Sequence, residues 1–217
     1  MIFPQSMAIV DIETTGLSSV RDRVIELAIL RVEKNQLVES YSTLLNPEMN
    51  LRPEIELLTG IRRQDLEKAP RFFDVLTRVR ELLADAVFTA HNARFDYSFI
   101  RHEFARYDIR YAAREMCTAR LFRAVHPGRR HNLNTLISAF NLKVDLRHRA
   151  LPDAKALWDF IIMLQKTIPR NELIRAIAAS MRRPALPKTI PHLKLLIVSP
   201  RHREFTGFWA TTVLRFI

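Results

Sequence analysis

The sequence predicts an α/β domain of three layers, with a mixed central β-sheet flanked by helices. Two observations predict it. Short β-branched apolar runs of strand length alternate with segments of helical period. The chain has 217 residues, 48% of them hydrophobic, enough for one such domain with an appendage.

Residues 8–13 read as a strand from their β-branched content. Residues 23–33 and 36–45 read as two more, joined at Lys34-Asn35, a hairpin turn. Residues 53–58 and 72–83 have helical spacing, with Phe72, Val75, Leu76, Val79 and Leu83 on one face. Residues 86–90 form a short buried strand, and Asn92 caps the helix that follows, through about Tyr107. Shorter segments cover 116–125 and 133–140. Pro152 suits the first turn of a long helix reaching Lys166. Residues 172–181 have helical character, and RRPALPKTIP (182–191) reads as a linker. The chain thus divides into a main domain (1–167), a helix plus proline-bearing linker (168–191) and a tail (192–217).

Composition narrows the class. A single cysteine, Cys117, excludes a disulfide framework and any multi-cysteine metal site, and points to a reducing, cytoplasmic setting. It reads as a small buried hydrophobe rather than a reactive thiol. No apolar run approaches the roughly 18 residues of a membrane helix. The start, MIFPQSMAIV, lacks the basic segment of a secretory signal. The net charge is +11, but nine basic and two acidic residues from Ile168 onward account for +7, leaving +4 for residues 1–167. A basic chain often meets nucleic acid, yet here charge says little about the main domain.

The chemistry lies in acidic residues. In the strand IVDIET, Asp11 and Glu13 point to the same face while Ala8, Val10 and Ile12 face the core. Two adjacent carboxylates repel unless a cation neutralises them, and hard divalent ions with oxygen ligands do so. A strand end where both groups meet solvent explains an isolated D-x-E as well. Asp96 lies in the first turns of a helix anchored by Phe95, Phe99 and Ile100, and Asp153 follows Pro152 at another helix start. The helix dipole favours an acid at either place. His148 lies five residues before Asp153.

In order, the motifs are D-x-E, N-x-x-x-D and H-x-x-x-x-D. VDIETTGL, AHNARFD and HRALPDA resemble the three motifs of the DEDDh 3′→5′ exonucleases. The chain is most similar to the DnaQ-like branch, that of the proofreading epsilon subunit of bacterial DNA polymerase III. The likeness spans residues 7–167. It implies a ribonuclease H-like fold and two divalent cations, Mg²⁺ or Mn²⁺, held by Asp11, Glu13 and Asp153, with Asp11 bridging and Asp96 completing the cluster. It implies His148 as general base, with an imidazole pKa suited to that role. It also implies that Thr14, Thr15, Gly16 and Leu17 approach the terminal nucleotide, Gly16 permitting close contact and Leu17 wedging against the last base. His91 and Asn92 touch the same nucleotide, and a nucleoside 5′-monophosphate leaves. The implied partner is a single-stranded 3′ end, DNA before RNA, within a polymerase or repair complex and away from any membrane.

Two departures stand out. Cys117-Thr118 occupies a place where family members often carry Asp-Thr. Arg129, Arg130 and His131 read equally as phosphate contacts or as a solvated basic loop. An RNA 3′→5′ exonuclease of the oligoribonuclease or RNase T kind uses the same five residues, and an exonuclease-like docking module remains a third class; only the catalysts need the acids. The basic, aromatic tail reads as a single-strand stacking surface, a docking peptide or a frameshift product. With suitable codons from Arg203 onward, the adjacent frame reads GVYRFLGDNGAPFYI, which resembles the opening of a GIY-YIG nuclease domain of UvrC and Cho type. On that expectation the chain is the truncated product of a two-nuclease gene.

Overall fold

The computed structural model describes residues 2–182 and the backbone of residues 195–197. Most of the proposed tail and of the linker lies outside the described residues. β1 (Ser6–Thr14), β2 (Val24–Glu33) and β3 (Gln36–Leu44) form an antiparallel meander. Lys34 and Asn35 both take positive φ, 50° and 63°, the two-residue hairpin turn whose twist matches its strands. β4 (Val87–Ala90) pairs parallel to β1, and β6 (Glu115–Cys117) parallel to β4. β7 (Met181–Arg182) closes the six-stranded order β3-β2-β1-β4-β6-β7. The sheet is mixed and three-layered, as expected. β5 (Ile109–Tyr111), unexpected from sequence, pairs parallel with β8 (Leu195–Ile197) in a separate two-stranded sheet.

Helices cover both faces. α1 (Pro53–Thr59) and the short α2 (Arg63–Glu67) pack beside Ile25; α2 is too short for periodicity to reveal. α3 (Phe72–Leu83) and α4 (Arg94–Ala105) bury Phe72, Val79, Phe99, Ile100 and Phe104 against Ala8, Val10 and Ile12. On the opposite face, α5 (Thr118–Val125), α6 (Leu133–Ala139) and α7 (Ala150–Thr167) bury Leu121, Phe122, Leu157, Phe160 and Ile161 against Met7 and Ile9. Both faces of β1 are therefore covered, which makes its two carboxylates costly. The 116–125 segment splits into β6 and α5 at Cys117, which is half-buried. α8 (Arg170–Ser180) adds Leu173, Ala176 and Ile177 to the same core, so packing continues past residue 167. No helix among the described residues is long and apolar enough to cross a membrane.

Asn92 does not cap α4 as expected. The N-cap is Ala93, without a side-chain hydrogen bond. Asn92 instead takes a left-handed φ of 62°, and its carbonyl accepts from the Phe95 amide at 2.8 Å. Asparagine tolerates this conformation better than most residues.

Candidate active site

The strand period places Asp11 and Glu13 on the face of Met7 and Ile9, toward α7. Asp153 in the first turn of α7 meets them, and one oxygen from each of Asp11, Glu13 and Asp153 lies within 4.8 Å of the others. Asp96, 4% exposed, arrives from the first turn of α4. Burial raises the Asp11 carboxyl well above its ordinary value, and the charges of Asp96 and Glu13 add to it. Asp96 is raised by burial as well, with the amides of Asp96 and Ile12 offsetting part. Glu13 rises to about 7, through burial first and the Glu26 charge second.

The structure thus brings all four expected acids together. Such a cluster is unfavourable by itself. Its all-oxygen donors and mutual repulsion fit hard divalent cations, Mg²⁺ or Mn²⁺, better than softer metals.

Two arginines answer the charge from the protein side. Arg147 reaches the Asp153 carboxylate, and its Nε donates to Asn134 Oδ1 at 3.0 Å. Its guanidinium also interacts with the charges of Asp11 and Glu13. Arg149 forms the second link. Glu26 stands directly across the β1–β2 ladder from Glu13, a like-charge pairing that is destabilising unless compensated. Arg149 donates from Nε at 3.0 Å and Nη2 at 2.9 Å to the Glu26 carboxylate, which also accepts from the Ala150 amide at 2.9 Å. One buried glutamate therefore holds the start of α7 and the residue following His148.

His148 precedes α7 in a left-handed backbone, φ 58°. Burial, then the Arg147 charge, lowers its imidazole pKa.

The turn after β1 is braced from behind. A bulge separates Glu13 from Thr14 in the ladder, a device that re-aims side chains at strand ends. Thr14 Oγ1 donates to the Gly16 carbonyl at 2.6 Å, and Arg23 N donates to Thr15 Oγ1 at 3.0 Å. Arg52 Nη2 donates to the Thr15 carbonyl at 2.7 Å. A Cβ on Gly16 would lie 1.8 Å from Arg52 Nη2 and 2.6 Å from Asp22 Cγ. Any side chain at Gly16 would displace the ends of Arg52 and Asp22, a demand separate from the nucleotide approach expected of it. Leu17 is 88% exposed at the tip.

His91, expected to touch a nucleotide, has both ring nitrogens engaged inside the protein: Nδ1 with Thr118 Oγ1 at 3.1 Å and Nε2 with the His131 carbonyl at 2.8 Å. Burial lowers its pKa to about 4. It is a neutral strut between β4, α5 and the 129–131 loop. Sequence reasoning missed Glu26, Arg147, Arg149 and Arg52. The glutamate inside the apolar run VIELAIL was the available signal; the partners are distant in sequence and give none.

A ribonuclease H-like sheet with four converging carboxylates defines a class of metal-dependent nucleic-acid hydrolases. The RNase_T exonuclease family model matches residues 8–161, and the chain belongs to this exonuclease family. It is 35% identical over 158 residues to "DNA polymerase III PolC-type" of Caldanaerobacter subterraneus subsp. tengcongensis, covering 72% of this chain and 11% of that protein. It is 33% identical over 151 residues to "3'-5' exonuclease DinG" of Staphylococcus epidermidis, covering 69% of this chain and 17% of that one. The chain therefore spans a small part of these relatives. Exonuclease X in complex with 5′ overhanging duplex DNA superposes with a TM-score of 0.60 at 24% identity, over 79% of this chain and 99% of that one. E. coli Exonuclease I in complex with a dT13 oligonucleotide gives 0.68 at 18%, over 77% of this chain and 42% of that one. These structures establish the fold.

Proposed function

We propose that this chain removes nucleoside 5′-monophosphates from DNA 3′ ends in a proofreading or repair setting. The observation that carries this is the convergence of Asp11, Glu13 and Asp153, with the charge of buried Asp96 acting on Asp11, in a chain of the exonuclease family. The sequence relatives named for polymerase III and for a 3′-5′ exonuclease support DNA as substrate and a polymerase or repair complex as partner.

Asp11, Glu13 and Asp153 would hold two divalent cations, with Asp11 shared and Asp96 completing the cluster. When bound, such ions lower the pKa of water and neutralise charge at an in-line phosphoryl displacement. His148 accepts the proton of the attacking water. The Thr14–Gly16 backbone and Leu17 position the terminal nucleotide, and Asn92 lies beside it. Residues 1–167 form the catalytic unit and α8 buttresses it.

Matched 5′-labelled DNA and RNA oligonucleotides, incubated with Mg²⁺, test this. The expected result is a ladder shortening from the 3′ end on DNA, faster than on RNA. A ladder on RNA alone would transfer the activity to RNA, and no ladder on either from folded protein would leave a docking role.

A further inference from the structure

We propose a second anion site in this protein: an arginine-lined cavity that binds a phosphate group of the nucleic-acid backbone away from the scissile one. The identity of its ligand rests on the exonuclease function proposed above; the site itself rests on separate residues.

The cavity, about 190 Å³, is lined by Arg94, Arg120, Arg123 and Arg182, with Glu115 and His131. Its walls follow from the topology. Arg94 opens α4 just after β4, Arg120 and Arg123 stand three residues apart on α5 and so share a face, and Arg182 on β7 pairs directly with Glu115 on β6. β1, β4 and β6 run parallel, so their C-terminal ends share one edge of the sheet. The acids lie at the end of β1, and the cavity extends from the residues after β4 along the whole of the short β6, from Glu115 to Cys117. At the usual strand spacing, β6 is about 10 Å from β1. The cavity is thus within reach of a single strand whose 3′ terminus is held at the acids.

Positive charge is in excess around the cavity, where Arg94, Arg123 and Arg182 are exposed and Arg120 is partly buried. Four guanidinium groups face one carboxylate, and among the described residues none of the four makes an ion pair, although Arg23, Arg31, Arg52 and Arg149 all do. Arg120 donates from Nη2 to the Ala179 carbonyl at 2.6 Å, while its Nη1 is buried without a partner. His131 Nε2 is likewise buried without one, its role as donor or acceptor set by the tautomer. Buried polar groups in native proteins are normally satisfied. A phosphate group brings several acceptor oxygens and the missing negative charge, and guanidinium forks match its geometry. Arg120, tied to Ala179, is the fixed wall; Arg94 and Arg123 are the arms to vary.

The test measures binding in chelator, where the strand is not cut. A 5′-fluorescent single-stranded DNA is compared with copies carrying one neutral methylphosphonate at successive positions from the 3′ end. In the wild type, one interior position should weaken binding more than its neighbours. In Arg94→Ala/Arg123→Ala that position should become silent, and the salt dependence of binding should lose a slope of roughly 0.7 for each phosphate contact removed. Arg94→Lys/Arg123→Lys should restore much of the slope, and Glu115→Gln should tighten binding; a merely structural cluster would do neither. Competition with a deoxynucleoside 5′-monophosphate separates the sources of phosphate. Relief confined to the mononucleotide would overturn the backbone assignment in favour of a product site. No sensitive interior position, or one that persists in the folded double alanine variant, would overturn the site. Cleavage with Mg²⁺ is scored separately, so loss of the exonuclease function and loss of this site give different results.

Discussion

Cutting the link between Glu26 and Arg149 should loosen the site before it unfolds the domain. Glu26 is 4% exposed and accepts from Arg149 Nε and Nη2 and from the Ala150 amide, while Arg149 is 32% exposed. In Glu26→Gln the side chain keeps its shape but loses its charge, and its amide faces at least one donor. A hydrogen bond to a charged partner contributes about 1.5–3 kcal/mol. Breaking a wholly buried pair costs about 3–5 kcal/mol, but Arg149 can turn toward water, which places the loss near 2–3 kcal/mol. For a domain of this size that is roughly 5–10 °C in Tm. The assay is a urea-unfolding double-mutant cycle of Glu26→Gln, Arg149→Met and the pair. The coupling should be about 1–2 kcal/mol, with kcat falling in both single variants under conditions where they remain folded. A coupling below about 0.5 kcal/mol would show that the link is incidental and refute the reasoning.

Other outcomes follow from the same geometry. Glu13 rises from 4.5 to about 7 on folding, so the folded protein binds the extra proton, and in chelator stability should fall as pH climbs from 4.5 through 7, by up to about 3 kcal/mol. Thermal unfolding should show this fall, weaker in Glu13→Gln and offset by Mg²⁺ at pH 8; a chelated protein that gains stability over that window would contradict it. His148→Asn should keep wild-type stability, because asparagine tolerates the left-handed φ, while kcat drops by about 10²–10⁴; urea melts and single-turnover rates check both. Leu17→Ala, at an 88% exposed position, should leave the melt unchanged within about 0.5 kcal/mol and raise KM.

The sheet was legible where local patterns dominate. β1, β2, β3, β4, α3 and α7 all appear near their expected bounds, because β-branched runs, an amphipathic period and Pro152 act locally. The convergence of the acids was legible through three ordered motifs. What escaped depends on pairing distant segments. Nothing local places Glu26 opposite Glu13, or brings Arg149 to it across 123 positions of sequence. Asn92 misled because the residue type that caps helices also tolerates a left-handed turn, and the tight passage from β4 into α4 needed the turn. For His91 nothing local signals the partners its ring has, Thr118 and the His131 carbonyl, because both lie on distant segments.

The central claim is that the four carboxylates cut nucleic acid from its 3′ end with divalent cations. The most direct measurement is single-turnover digestion of a 5′-labelled single-stranded DNA by wild type and Asp11→Ala, with Mg²⁺ and then with excess chelator. The account predicts a ladder that shortens from the 3′ end, disappears in chelator, returns when Mg²⁺ is restored, and is absent in a folded Asp11→Ala protein. Cleavage that survives either the chelator or the substitution would contradict it.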